Sequence, residues 1–147
     1  MNDANPLAFY EQHPDHPGWM RWGLRDQTRY NAFLGEIMVR TDAPGRALVR
    51  MTPQRQHSNL ADVVHGGTTL GFIDVALFAA SRTFGLAGPA VTLDLNTHFI
   101  RAGRIGEPME AQVELLRETR RMIFLRGLIA QGADVIAEFS GTVRKSV

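Results

Sequence analysis

One carboxylate interrupts an otherwise apolar run. The stretch VVHGGTTLGFIDVALFAAS, residues 63–81, opens on His65-Gly66-Gly67 after two valines and carries Asp74 nine residues after the histidine. Burying an unpaired carboxylate is costly, so Asp74 must be hydrogen-bonded, protonated or open to a cleft. A structural carboxylate held by a hydroxyl or a backbone amide meets that condition. A functional one also meets it, because perturbed carboxylates gather at active sites. His-Gly-Gly by itself is turn chemistry, with glycines relieving strain at a helix entry. A helix entry also leaves backbone N–H groups free, here those of Gly66, Gly67 and Thr68, and these suit an anion or a developing oxyanion. A base or nucleophile together with an oxyanion site is what acyl transfer requires.

Spacing limits how the two can cooperate. Eight positions along a helix put Gly66 and Asp74 roughly 12 Å apart. They cannot reach one small carbonyl within a single helix. A second copy, with its helix antiparallel, would bring Asp74 of one subunit to the helix N-terminus of the other. The expectation is an obligate homodimer with two shared sites.

The surrounding elements have to hold this helix in place. Gly67 to about Phe84 is apolar on every side, which predicts a helix buried all round; Gly85 and Gly88-Pro89 stop it. Before it, Ile37 and Val39, then Ala47, Val49 and Met51, alternate with mainly polar residues around the turn Asp42-Ala43-Pro44-Gly45, which predicts a hairpin. After it come four strands. The first runs over 91–99, with Val91, Leu93, Leu95, Thr97 and Phe99 alternating with polar residues. The others run over 109–115, 122–130 and 135–143. Short turns imply antiparallel pairing. Residues 1–33 read as an N-terminal arm with a helix over 19–33, and 34–147 as a single domain. The predicted class is α+β: a curved antiparallel sheet of about six strands around one long central helix.

Composition limits the chemistry. The 147 residues are 44% hydrophobic and 21% charged, with a net charge of +1. Neither nucleic acid nor an anionic membrane is suggested as the main partner. The cysteine count is 0, which excludes disulfides, thiolate metal sites and a cysteine nucleophile. His13 and His16 in HPDHP lack further metal ligands, so neither metal nor cofactor is expected. The start, MNDANPLAFYEQHPDHPGW, lacks the basic and apolar regions of a signal peptide, and Val75–Ala80 is too short to span a bilayer; a cytoplasmic location is expected.

The segment Asn59-Leu60-Ala61-Asp62-Val63-Val64-His65-Gly66-Gly67, with Asp74 nine after the histidine and then Thr92-Leu93-Asp94-Leu95-Asn96, resembles the PaaI-type (phenylacetyl-CoA thioesterase-like) branch of the hotdog-fold acyl-CoA thioesterases. The likeness runs from about Leu34 to the C-terminus. It implies that Asp74 is the catalytic carboxylate that activates water against a thioester. It implies that the Gly66 amide polarises the thioester carbonyl, that His65 orders the turn, and that Asn59 helps hold the carbonyl region. Thr92 would position the water. It also implies that the two half-sites come from opposite subunits, in a homodimer or a dimer of dimers. The chain departs from the family at Asp62, where many members carry glycine. Asp enters left-handed turn geometry less readily than Gly.

Other residues have ordinary readings as well. Thr92 on a strand and His65 in a turn are common structural residues. His57 and His98 have no assignable partner. Coenzyme A carries phosphates, so a cation is needed near the cleft mouth; Gly67, Arg101 and Arg104 are the substrate-binding candidates, with Arg120 and Arg121 as further turn cations. Phe72, Phe78 and Leu70 read either as acyl pocket or as core. Trp19 and Trp22 read as a cover for the site or for an interface. Two rival functions remain. A hotdog hydratase or dehydratase would carry a histidine a few residues after Asp74, and none occurs before His98. A non-catalytic acyl-CoA-binding protein would not need a water-activating carboxylate.

Overall fold

The computed structural model describes residues 6–86 and 88–146. Eight strands form one antiparallel sheet: β1 (Ala8–Gln12), β2 (Met20–Leu24), β3 (Met38–Ala43), β4 (Arg46–Met51), β5 (Ala90–Phe99), β6 (Met109–Glu118), β7 (Met122–Gln131) and β8 (Asp134–Lys145). Their order across the sheet is β1-β2-β3-β4-β6-β7-β8-β5. The helix α1 (Gly66–Thr83) lies in the concave face, and short 3-10 turns cover Tyr30–Leu34 and Arg55–His57.

The helix is the core of the fold. Phe72, Ile73, Ala76, Leu77 and Ala80 are fully buried against Val39, Val49, Ala111, Ile129 and Phe139 of the sheet. Each large apolar side chain so buried contributes about 1.5–3 kcal/mol. Close approach of helix and sheet depends on Gly141 of β8. A Cβ there would stand 2.6 Å from Leu77 Cδ1. Among the described residues, no helix is long and apolar enough to cross a membrane.

The hairpin, the helix and the four later strands lie where their patterns predict them. The N-terminal part does not. Residues 8–24 form a β-hairpin, β1 with β2, in place of the arm and helix read from the sequence, and they raise the strand count from six to eight. Met20, Trp22 and Leu24 face the same side as Tyr10 and Ala8 through the pairs Tyr10↔Trp22 and Ala8↔Leu24. That is a period of two, carried by strands of only 5 residues each, and the proline-rich connection conceals it.

β5 also departs from its pattern. Strict alternation would turn Val91, Leu93 and Leu95 inward. A bulge between Thr92 and Asp94 changes the register against β8. Thr92 and Leu95 are then half-buried, while Val91 and Leu93 are each 51% exposed. Bulges re-aim a side chain in this way, often beside an active site.

Candidate active site

His65 builds the helix entry. It is the N-cap of α1, and its ring Nδ1 accepts from Gly67 N–H at 2.8 Å. Its carbonyl accepts from Thr68 N–H at 2.9 Å and from Thr69 N–H at 3.2 Å. The amides of Gly67 and Thr68, read from the sequence as free, are therefore engaged within the turn. A single N–H of the first turn is left over among the described residues, that of Gly66. Nδ1 can accept only in the neutral tautomer protonated on Nε2, which points the second ring nitrogen outward as a donor.

Asn59 organises the loop before the helix. Its side-chain oxygen accepts from Ala61 N–H at 2.9 Å and from Val63 N–H at 3.3 Å. Two backbone donors on one oxygen fix the amide orientation and leave its NH2 without a partner among the described residues. Asp62 closes the same loop at φ 59°, in the left-handed region that favours glycine. Asn59, Gly66, Thr69, Phe99 and Arg101 line one open cleft of about 350 Å³.

The carboxylate lies elsewhere. Asp74 is half-buried on the second and third turns of α1, and Thr92 Oγ1 donates to its Oδ1 at 2.5 Å. Oδ2 accepts nothing among the described residues. Asp74 lines a different cavity, of about 260 Å³, between α1 and the β1–β2 hairpin. The structure thus brings Asp74 and Thr92 together, and brings Asn59, His65, Gly66 and Arg101 together. It does not bring the two groups to one point within a single chain.

The two arginines separate. Arg101 lies on the Gly66 cleft and is 63% exposed in its side chain, with one ion pair to Asp134 at 3.1 Å. Arg104 is half-buried and tied down by its neighbours. Its guanidinium is shared among Glu107 at 2.8 Å, Asp134 at 2.8 Å and the Gln131 carbonyl at 3.4 Å. The Glu107 and Asp134 contacts raise its ionisation further above the ordinary value. Arg104 is a clip between loop and sheet, whereas Arg101 stays on the cleft.

Two residues went unassigned in the sequence. Tyr30 leans its ring on α1 so closely that a Cβ at Gly71 would overlap its hydroxyl. Burial and the charge of Asp74 push its ionisation up, so the phenol keeps its proton near Asp74. His57 is 1% exposed. Its Nδ1 accepts from Gln54 N–H at 2.8 Å and its Nε2 donates to the Phe33 carbonyl at 2.6 Å. Its own carbonyl accepts from His65 N–H at 2.8 Å. His57 therefore joins the turn that carries Tyr30 to the turn that carries Gly66. No local pattern announces the Tyr30–Gly71 or the His57–Phe33 contact, since the partners lie more than twenty residues apart.

The remaining candidates have structural places. Phe72 is core and Phe78 lines the Asp74 cavity, while Leu70 is 37% exposed. Trp22 lines that cavity too; Trp19 lies between the guanidinium groups of Arg40 and Arg50, at 5.1 and 4.5 Å. His98 pairs with Glu138 at 3.5 Å, and His13 with Glu36 at 2.9 Å. No metal-binding group of three or more His, Cys, Asp or Glu occurs among the described residues.

Residues 61–137 match the Thioesterase superfamily. The chain belongs to that family. It is a thioester hydrolase with the hotdog fold, one long helix held in a curved antiparallel sheet. The human protein acyl-coenzyme A thioesterase 13 is 25% identical over 99 residues, which cover 65% of this chain and 68% of that one. The TT0310 protein of Thermus thermophilus is 32% identical, with a TM-score of 0.65 over 77% of this chain and 93% of that one. The PaaI protein from the E. coli phenylacetic acid degradation operon is 26% identical, with a TM-score of 0.68 over 78% and 81%. The family assignment displaces the reading as a binding protein without activity.

Proposed function

We propose that this thioesterase hydrolyses acyl-CoA, with Asp74 activating water and the Gly66 amide polarising the thioester carbonyl. The observation that carries the reading is one leftover amide at the start of α1 and one hydroxyl-supported carboxylate eight residues along the same helix. The human relative, acyl-coenzyme A thioesterase 13, supports CoA as the carrier.

The chemistry runs in two steps. Asp74 takes a proton from water as the oxygen attacks the thioester carbon, and Thr92 helps hold carboxylate and water in line. The carbonyl oxygen becomes an oxyanion that accepts from Gly66 N–H, with Asn59 beside it. The tetrahedral intermediate then collapses and the C–S bond breaks. The thiolate leaves and is protonated by the Asp74 carboxyl. His65 keeps Gly67 and Thr68 occupied, which leaves Gly66 as the donor.

The carboxylate and the amide are too far apart to act on one carbonyl within a chain. The reading therefore includes a homodimer in which Asp74 of one protomer works with Gly66 of its partner. β5 supports it. This strand pairs with β8 alone and leaves a 10-residue edge. Val91, Leu93, Phe99 and Ile100 are exposed on and beside it. A long apolar edge strand seeks a partner. Thiol release from a panel of acyl-CoAs, by wild type and Asp74→Asn, tests the proposal. Release that collapses in a folded mutant dimer supports it; release that survives places the catalytic group elsewhere.

A further inference from the structure

The cavity beside Asp74 has walls that the catalytic reading does not use. One wall is a stripe of α1, Asp74, Val75, Phe78 and Arg82, on one helix face. The opposite wall is the inner face of the β1–β2 hairpin. The pairs Tyr10↔Trp22 and Ala8↔Leu24 put those four side chains on the same side, against the helix. The lining is mostly apolar and aromatic. Arg82 is held over the Tyr10 ring at 4.5 Å, and burial raises the Tyr10 ionisation despite that cation.

We propose that the β1–β2 hairpin is the acyl-selecting wall of the active site, with Ala8 and Trp22 setting the length of acyl group it admits. This rests on the assignment of Asp74 as the water-activating group. Whatever fills the cavity then lies next to the reacting carbonyl, and an apolar lining suits the acyl group better than the phosphates of the carrier. The Gly66 cleft, with Arg101 on it, suits the carrier. Acyl group and carrier therefore lie on different protomers of the shared site.

Size commits the proposal to a compact acyl group. A cavity of about 150 Å³ holds a benzene ring. At about 260 Å³ this one accommodates a ring with a short linker or a medium-length chain. Trp22 is the largest side chain of the wall. Ala8 is its smallest and is buried, so a larger residue there has only the cavity to enter. The hairpin lies outside residues 61–137, the part that matches the family. Acyl selection is thus set by a segment separate from the shared catalytic elements.

The test compares kcat/KM for acetyl, hexanoyl, phenylacetyl and palmitoyl thioesters, each presented on CoA and on N-acetylcysteamine. Ala8→Phe is expected to lower hexanoyl and phenylacetyl turnover relative to acetyl by roughly tenfold or more, and Trp22→Ala to raise palmitoyl relative to hexanoyl by a similar factor. Trp22→Phe, a milder change, keeps the test open if Trp22→Ala fails to fold. Equal changes for all four acyl groups in folded variants would overturn the proposal. Asp74→Asn assayed in parallel separates the two claims. Wild-type turnover in that mutant overturns the catalytic assignment, whereas the acyl ratios report on the hairpin whichever group activates water.

Discussion

Thr92 Oγ1 donates to Asp74 Oδ1 at 2.5 Å, across the gap between an edge strand and the central helix. The contact exists because a bulge at Leu93 turns Thr92 toward the helix against the alternation of β5. A hydrogen bond to a charged group is worth about 1.5–3 kcal/mol. If it holds Asp74 in its working position, Thr92→Val lowers kcat roughly ten- to a hundredfold. Thr92→Ser keeps the hydroxyl and most of the rate. Steady-state kinetics decide, and a Val variant with unchanged kcat would remove Thr92 from the mechanism.

Tyr30 offers a readout of Asp74 that does not depend on turnover. Its phenol is pushed up first by burial and then by the Asp74 charge. Replacing Asp74 with Asn removes the second cause and keeps the first. The Tyr30 titration midpoint then falls but stays above the ordinary tyrosine value. The chain has 2 tyrosines, so phenolate absorbance in a Tyr10→Phe background reports on Tyr30 alone. An unshifted midpoint in Asp74→Asn would mean that Tyr30 does not feel that carboxylate.

Much of this arrangement was legible in the sequence. The buried helix, the hairpin 38–51 and the strands after the helix follow from periods of 3.6 and 2 that tertiary packing reinforces. His65, Gly66 and Asp74 stood out because glycines and a carboxylate conflict with a plain apolar helix. Contacts made over long chain separations were not legible. Tyr30 reaches Gly71, and His57 reaches Phe33, through packing that no local pattern encodes. The N-terminal hairpin was missed because strands this short give too few alternations to outweigh an apparent helix. The sequence offers Arg104 as a phosphate-binding cation because its partners, Glu107 and Asp134, pair with it only in the folded chain.

Asp62 stands out for another reason, its left-handed backbone. It sits at φ 59°, where an L-residue carries a penalty of about 1–2 kcal/mol that Asp bears more easily than most side chains. Asp62→Gly is therefore expected to stabilise the protein by up to about 1 kcal/mol, the relief exceeding the extra chain entropy of glycine. Asp62→Val, whose β-branched side chain tolerates the left-handed region poorly, is expected to destabilise it by about 1–2 kcal/mol. Urea unfolding midpoints check both. A Val variant as stable as the Gly variant would show that the loop adopts a different backbone.

Gly66 provides the test of a site shared between chains. Within one chain a Cβ at Gly66 meets nothing closer than Phe99, at 3.5 Å, which is ordinary contact. Gly66→Ala should thus fold as well as wild type, helped by the better helix propensity of alanine. Its methyl would instead crowd a carbonyl drawn up to the amide, and a misplacement of that kind costs roughly a hundredfold in rate. Asp74→Asn fails for the opposite reason, with the amide intact and the base lost. Mixing the two inactive proteins under conditions that exchange subunits gives dimers in which one site has Asp74 from the first chain and Gly66 from the second. Half the dimers are mixed and half their sites are whole, so activity should return to about a quarter of the wild-type rate. If Asp74 and Gly66 of the same chain served one site, every site would keep a defect and mixing would restore nothing.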